Sequence, residues 1–185
     1  MKENQNFAEK TLTKESIFDG VILHVRKDTA QTVDGEIVTR EVVEHPGGVG
    51  IAMEDDDGTF FLVSQWRYAQ SVVTLEFPAG KREKGEDPLT TGKREVIEET
   101  GYEGKDWYYL GHIFPTPAYD TEIIDLYYAR KGAFCGQHFD RDEHIQLKKY
   151  TLDELTEMVV HQEISDSKTV YMTLLIRELK ARKIL

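Results

Sequence analysis

One stretch limits what this 185-residue chain can fold into more than any other: Phe77 to Tyr102, FPAGKREKGEDPLTTGKREVIEETGY. It reads as a loop that feeds a helix. Asp87 is placed to cap that helix, Pro88 suits a first turn where its missing N–H is not needed, and Gly101 stands where a left-handed C-terminal cap forms. The spacing therefore predicts a helix from about Pro88 to Thr100. At about 100° per residue, Glu95, Glu98 and Glu99 share one face, with Arg94 beside Glu98 at its edge. The acids occupy the last two turns, where the helix dipole disfavours negative charge and acids at this spacing repel. A bound cation would relieve the arrangement. Oxygen donors without a matching set of cysteine or histidine point to magnesium or manganese rather than zinc. Taken alone, the same acids also fit a solvated helix face.

The wider spacing weighs against that plainer reading. Five residues separate Gly80 from Glu86 and seven more precede Arg94, after which Glu95, Val96, Glu98, Glu99, Gly101 and Tyr102 follow in register. This pattern resembles the Nudix box, with every fixed glycine and polar position filled; only Tyr102 departs, standing where an aliphatic residue is usual. The resemblance implies an α/β fold, the Nudix α/β/α sandwich with a mixed sheet. It also implies roles: Glu95 and Glu99 bind metal, Glu98 lies close by as a further metal ligand or proton acceptor, and the Ala79 carbonyl joins them. Gly80, Glu86, Arg94 and Gly101 would serve the loop and helix structurally.

Within that superfamily the chain looks most like the ADP-ribose pyrophosphatases, over a span from about Thr13 to the last helix. Pro117 stands fifteen residues beyond Tyr102, the place of that group's marker proline. Glu44-His45-Pro46-Gly47, Gln65-Trp66-Arg67 and Asp142-Glu143 add to the likeness. It implies that Glu143 is a general base or water-orienting residue, that Arg67 contacts the diphosphate and that Glu83 helps to position it. Ile22 and Glu41 would meet the adenine side, commonly across a dimer interface, and Thr116 and Ala118 would border the terminal ribose. Here the chain departs from its relatives: Thr116-Pro117-Ala118-Tyr119 replaces the usual Ser-Pro-Gly and aromatic residue, so the sugar pocket is expected to be reshaped.

The formal net charge of −11 argues against binding driven by attraction to nucleic acid or an anionic membrane. A diphosphate substrate can still be held by an acidic enzyme if metal ions lie between them. The single cysteine, Cys135, excludes an internal disulfide and a thiolate zinc cage, suits a reducing compartment and is expected to pack internally. With no signal-like start and no apolar run of spanning length, a cytoplasmic protein is expected.

Along the chain, residues 1 to about 16 look frayed. Strands are expected at Ile17 to Asp28 and Glu36 to Val43 around an Asp34-Gly35 turn, forming a small antiparallel β unit (1–44) that must pack against the rest of the chain or a second copy; together with the family resemblance it implies a homodimer. The Nudix domain would occupy 45–185. In it, Val49 to Met53 and Thr59 to Gln65 flank the Asp55-Asp56-Asp57-Gly58 turn. That acidic triplet is not a calcium loop, because its twelfth residue is Trp66. Trp107 to Phe114, Glu122 to Ala129 and Ile145 to Tyr150 complete the strands. Thr151 and Glu154 form a capping box for a helix to Val160. A last helix runs from Asp166 to Lys183 with Val170, Leu174 and Leu179 on one face.

The activity implied is metal-dependent hydrolysis of ADP-ribose to AMP and ribose 5-phosphate. The alternatives are cleavage of another nucleoside diphosphate sugar, motivated by the Thr-Pro-Ala loop, and a non-catalytic nucleotide sensor, disfavoured by the intact carboxylates.

Overall fold

The computed structural model describes residues 7–137 and 145–185 and divides into two compact units. The first runs to Pro46 and recruits Thr116–Glu122. Its sheet holds β1 (Lys10–Asp19), β2 (His24–Gln31) and β3 (Ile37–Glu44), all antiparallel, with β2 in the centre. Thr116–Glu122 returns to β3: Val43 N–H donates to the Tyr119 carbonyl at 2.7 Å, and Thr121 N–H to that of Val43 at 3.0 Å. Two expectations are corrected here. The frayed start is a strand from Lys10, and the single strand expected over Ile17 to Asp28 is broken at 20–23 by a turn in which Gly20 N–H donates to the Leu23 carbonyl.

The second unit comprises Gly47–Pro115 and Ile123–Leu185. Its strands are β4 (Gly48–Glu54), β5 (Thr59–Arg67), β6 (Val72–Glu76), β7 (Ala79–Lys81), β8 (Tyr102–Ile113), β9 (Ile124–Phe134) and β10 (Gln146–Thr151). The sheet runs β10-β5-β4-β9-β8, with β6 paired to β5 and β7 to β4. It is mixed, because β4 and β9 are parallel while the other pairs are antiparallel. Helix α1 (Pro88–Thr100) precedes β8, and α2 (Leu152–Val160) and α3 (Ser167–Ala181) end the chain.

Strand β4, GVGIAME, is buried at every position. Residues alternate across a strand, so Val49, Ile51 and Met53 pack with Val96 of α1, while Ala52 packs with Leu155 of α2 and with Met172 and Ile176 of α3. Helices therefore cover both faces, as a buried strand with apolar residues on both sides requires. Each of these large side chains, fully removed from water, contributes about 1.5–3 kcal/mol.

The α3 face differs from expectation. Leu174 is exposed, and the buried residues are Lys168, Thr169, Met172, Thr173 and Ile176. Cys135, expected to be internal, is exposed. The Asp55-Asp56-Asp57 turn is ion-paired: Lys149 Nζ lies 2.5 Å from Asp55 and 2.8 Å from Asp57, and Lys131 also pairs with Asp55. Among the described residues no helix is long and apolar enough to cross a membrane.

Candidate active site

The site lies in the second unit, where β6 runs through Phe77 and Pro78 into β7 and on to α1. Pro78-Ala79-Gly80 looks like a turn in sequence. In the structure it is tied to β4 by a hydrogen bond from Ile51 N–H to the Pro78 carbonyl (2.8 Å) and by the pairing of Gly50 with Ala79 and Val49 with Gly80. The Asp87 carboxylate accepts from Leu89 and Thr90 N–H at 3.0 and 3.3 Å, satisfying donors at the head of α1. Gly101 ends the helix at φ 80°, with its N–H donating to Ile97. The helix bounds match those read from its caps.

Burial sorts the three helix acids. Glu99 is 4 % exposed, and its carboxylate accepts from Ala79 N–H at 3.1 Å. Glu95 turns toward Gly80, and a Cβ placed on Gly80 would collide with the Glu95 carboxylate. Glu98 is more open to solvent. Two carboxylates therefore meet one short piece of backbone, and only glycine leaves room for the approach.

Arg94 corrects the expectation that the acids lack protein compensation. Its Nη1 donates to Glu95 at 2.7 Å and to Glu98 at 3.0 Å, and its Nη2 reaches Glu86 and the Lys81 carbonyl, both at 3.3 Å. Burial alone would lower the Arg94 pKa, but Glu86 and Glu95 raise it. Arg94, Thr91 and the Glu83 N–H in turn hold the Glu86 carboxyl down at about 2. One guanidinium thus serves three carboxylates, Glu86, Glu95 and Glu98. Among the described residues no three acidic, histidine or cysteine side chains form a ready-made metal cage. The donor chemistry nevertheless fits a hard divalent ion, with the Gly80 cleft leaving the Glu95 and Glu99 carboxylates close to the backbone.

Arg67 ends β5. Its Nε and Nη2 donate to the two oxygens of Glu76 at 2.6 and 2.5 Å, and its guanidinium is raised in pKa by Glu76 first, with Asp166 and Glu99 adding smaller effects. Glu83 is exposed; its backbone brackets Glu86. Glu143 lies outside the described residues. The structure thus brings Ala79, Gly80, Glu86, Arg94, Glu95, Glu98 and Glu99 together. Ile22, Glu41, Thr116 and Ala118 belong to the first unit, where Ile22 is exposed in the turn after β1. Glu41 there lines a cavity of about 570 Å³ with Val25, Arg26, Val43 and Tyr119. The sequence reading passed over Glu76 and Lys168, and took Asp166 only as the start of the last helix. Its missed signal was a glutamate closing the otherwise uncharged strand VVTLE.

The NUDIX domain profile matches residues 44–172, which includes Glu86, Glu95, Glu98 and Glu99. The chain belongs to the NUDIX family. Among relatives of this Nudix chain, the methanol dehydrogenase activator of Bacillus methanolicus is 38% identical over 167 residues, covering 89% of this chain and 90% of its own. The ADP-ribose pyrophosphatase of Bacillus subtilis (strain 168) is 32% identical over 169 residues, covering 90% and 91%. A crystal structure of an ADP compounds hydrolase superposes with a TM-score of 0.82 at 17% identity, covering 96% of this Nudix chain and 97% of that one. At that identity the last comparison speaks for the fold.

Proposed function

We propose that this Nudix hydrolase cleaves the diphosphate of ADP-ribose to AMP and ribose 5-phosphate with a divalent metal, magnesium or manganese. The observation that carries the reading is the meeting of Glu95 and Glu99 with the Ala79–Gly80 backbone. Glu95, Glu98, Glu99 and the Ala79 carbonyl would hold the metal. When bound, it supplies charge neutralisation on the phosphate oxygens and acidifies a water. Glu98, the most exposed of the three acids, is suited to accept a proton from the attacking water, and Glu143 is the other candidate for that proton. Arg67 offers a planar fork to phosphate oxygens, and Glu83 assists in positioning them. Ile22, Glu41, Thr116 and Ala118 are the proposed substrate contacts of the first unit. That unit is also the proposed homodimer contact, consistent with exposed Phe18, Val21 and Ile22; a monomeric mass in light scattering would refute it. The low cysteine content and acidic charge support a cytoplasmic setting without nucleic-acid or membrane partners.

Chromatography of products formed from ADP-ribose, with magnesium or with chelator, tests the reading. AMP should appear only with metal, and Glu99→Gln should abolish it. Two other readings rest on particular observations. The Thr116-Pro117-Ala118 loop favours a different nucleoside diphosphate sugar, established if such a sugar is cleaved and ADP-ribose is not. The Bacillus methanolicus relative favours activation of a dehydrogenase. Assaying methanol dehydrogenase with wild type and with Glu99→Gln separates an activation that uses hydrolysis from one that uses contact alone. Binding of nucleotides without turnover would instead indicate a sensor.

A further inference from the structure

Glu76 lies 2 % exposed at the end of β6, three residues before Ala79, and both of its oxygens are fully engaged. One oxygen accepts from Arg67 Nε at 2.6 Å and Thr74 Oγ1 at 2.5 Å; the other accepts from Arg67 Nη2 at 2.5 Å and from Lys168 Nζ. Four donors exhaust the four acceptor positions of a carboxylate. Glu76 is thereby a holder of cations, with no acceptor position left for a metal or a water.

Lys168 is 6 % exposed at the head of α3, and its other partner is Asp166 Oδ1 at 2.9 Å. Asp166 also caps α3: its second oxygen accepts from Thr169 N–H at 2.9 Å and Thr169 Oγ1 at 2.6 Å. The Thr169 hydroxyl in turn accepts from Phe77 N–H at 2.9 Å, one residue after Glu76. The start of α3 therefore grips the β6 end at two adjacent residues, by charge at Glu76 and by a hydrogen bond at Phe77. An apolar residue at position 168 would serve helix packing equally well. A buried lysine is costly unless paired, and its place here is explained by what Glu76 holds.

We propose that Lys168, anchored by Asp166, is a positioning residue for Arg67, acting through Glu76 to fix the guanidinium that takes the diphosphate. Arg67 spends Nε and Nη2 on Glu76, while Nη1 makes no hydrogen bond to any described residue, so one edge of a fixed plane is left for a ligand. Without Lys168, Glu76 keeps a single cation partner and turns further onto Arg67, moving that edge. The inference rests on the proposed diphosphate chemistry.

The test is a double-mutant cycle over Arg67→Ala and Lys168→Met, read as Kd for α,β-methylene ADP-ribose with magnesium and as KM and kcat for ADP-ribose. Arg67→Ala should weaken binding about 100-fold and Lys168→Met about 10-fold, the range expected for lost charge-assisted hydrogen bonds. The double variant should be no worse than Arg67→Ala alone, and Lys168→Arg should restore most of the affinity. Additive effects, or an unchanged Kd in Lys168→Met, would overturn the inference. If Lys168→Met does not fold, Asp166→Asn, which keeps a capping side chain but releases the lysine, enters the same cycle with the same two outcomes. Wild-type protein that binds neither ligand would refute the diphosphate chemistry itself, and the inference with it.

Discussion

The Glu95 carboxylate occupies the space into which any side chain at Gly80 would project. Gly80→Ala must therefore displace Glu95 or shift β7 away from β4. Since a displacement of about 1 Å at a reacting centre can cost on the order of 100-fold, kcat/KM should fall by at least that factor while the protein remains folded. Near wild-type kinetics would show that Glu95 is free to reorient and that its approach to the backbone has no role.

The Glu76 carboxylate gives acid stability a defined window. Burial pushes its pKa up, but Arg67 and Lys168 outweigh this and hold it at about 2, against 4.5 for the ordinary group. A depressed folded-state pKa means stabilisation that is complete above the unfolded pKa and is lost as pH falls through the folded one. Chemical denaturation followed between pH 5 and pH 2 should show a declining free energy of unfolding, and the decline should be shallower in Glu76→Gln than in wild type. Equal slopes would place the acid-sensitive groups elsewhere.

Gly92, in the middle of α1, carries a helix-propensity cost of about 1 kcal/mol relative to alanine. An added Cβ would meet Val49 Cγ1 at 3.3 Å and Trp107 Cζ3 at 3.4 Å. Close contact with the sheet should cancel the propensity gain, so Gly92→Ala should leave Tm unchanged or lower it. A clear rise in Tm would mean that the α1–β4 contact is looser than these distances imply.

The caps made α1 legible. Asp87, Pro88 and Gly101 are local signals, and the capping box of Thr151 and Glu154 announced α2 in the same way. Elements defined by pairing were harder. Strand β7 holds three residues whose strand character comes from backbone bonds to β4 and leaves no periodic trace in Ala79-Gly80-Lys81. Strand β1 is exposed along its whole length, so its charged sequence has no apolar alternation. The Arg67–Glu76–Lys168 group was missed because it depends on a contact between residues 92 positions apart. On α3, counting apolar residues selected Leu174, whereas the buried face includes a lysine neutralised by that distant glutamate. At the site, the spacing from Gly80 to Gly101 located the acids, but Arg94 bridging Glu95, Glu98 and Glu86 required three dimensions.

The central claim is that the carboxylates gathered at Ala79 and Gly80 serve diphosphate hydrolysis. Its most direct test is the release of AMP from ADP-ribose by wild type and Glu99→Gln, each with magnesium and with chelator. The account predicts AMP from wild type with magnesium only, and a loss of at least about 100-fold in Glu99→Gln, in line with removal of a group that acts in the transition state. AMP release that survives both the chelator and the substitution would contradict it.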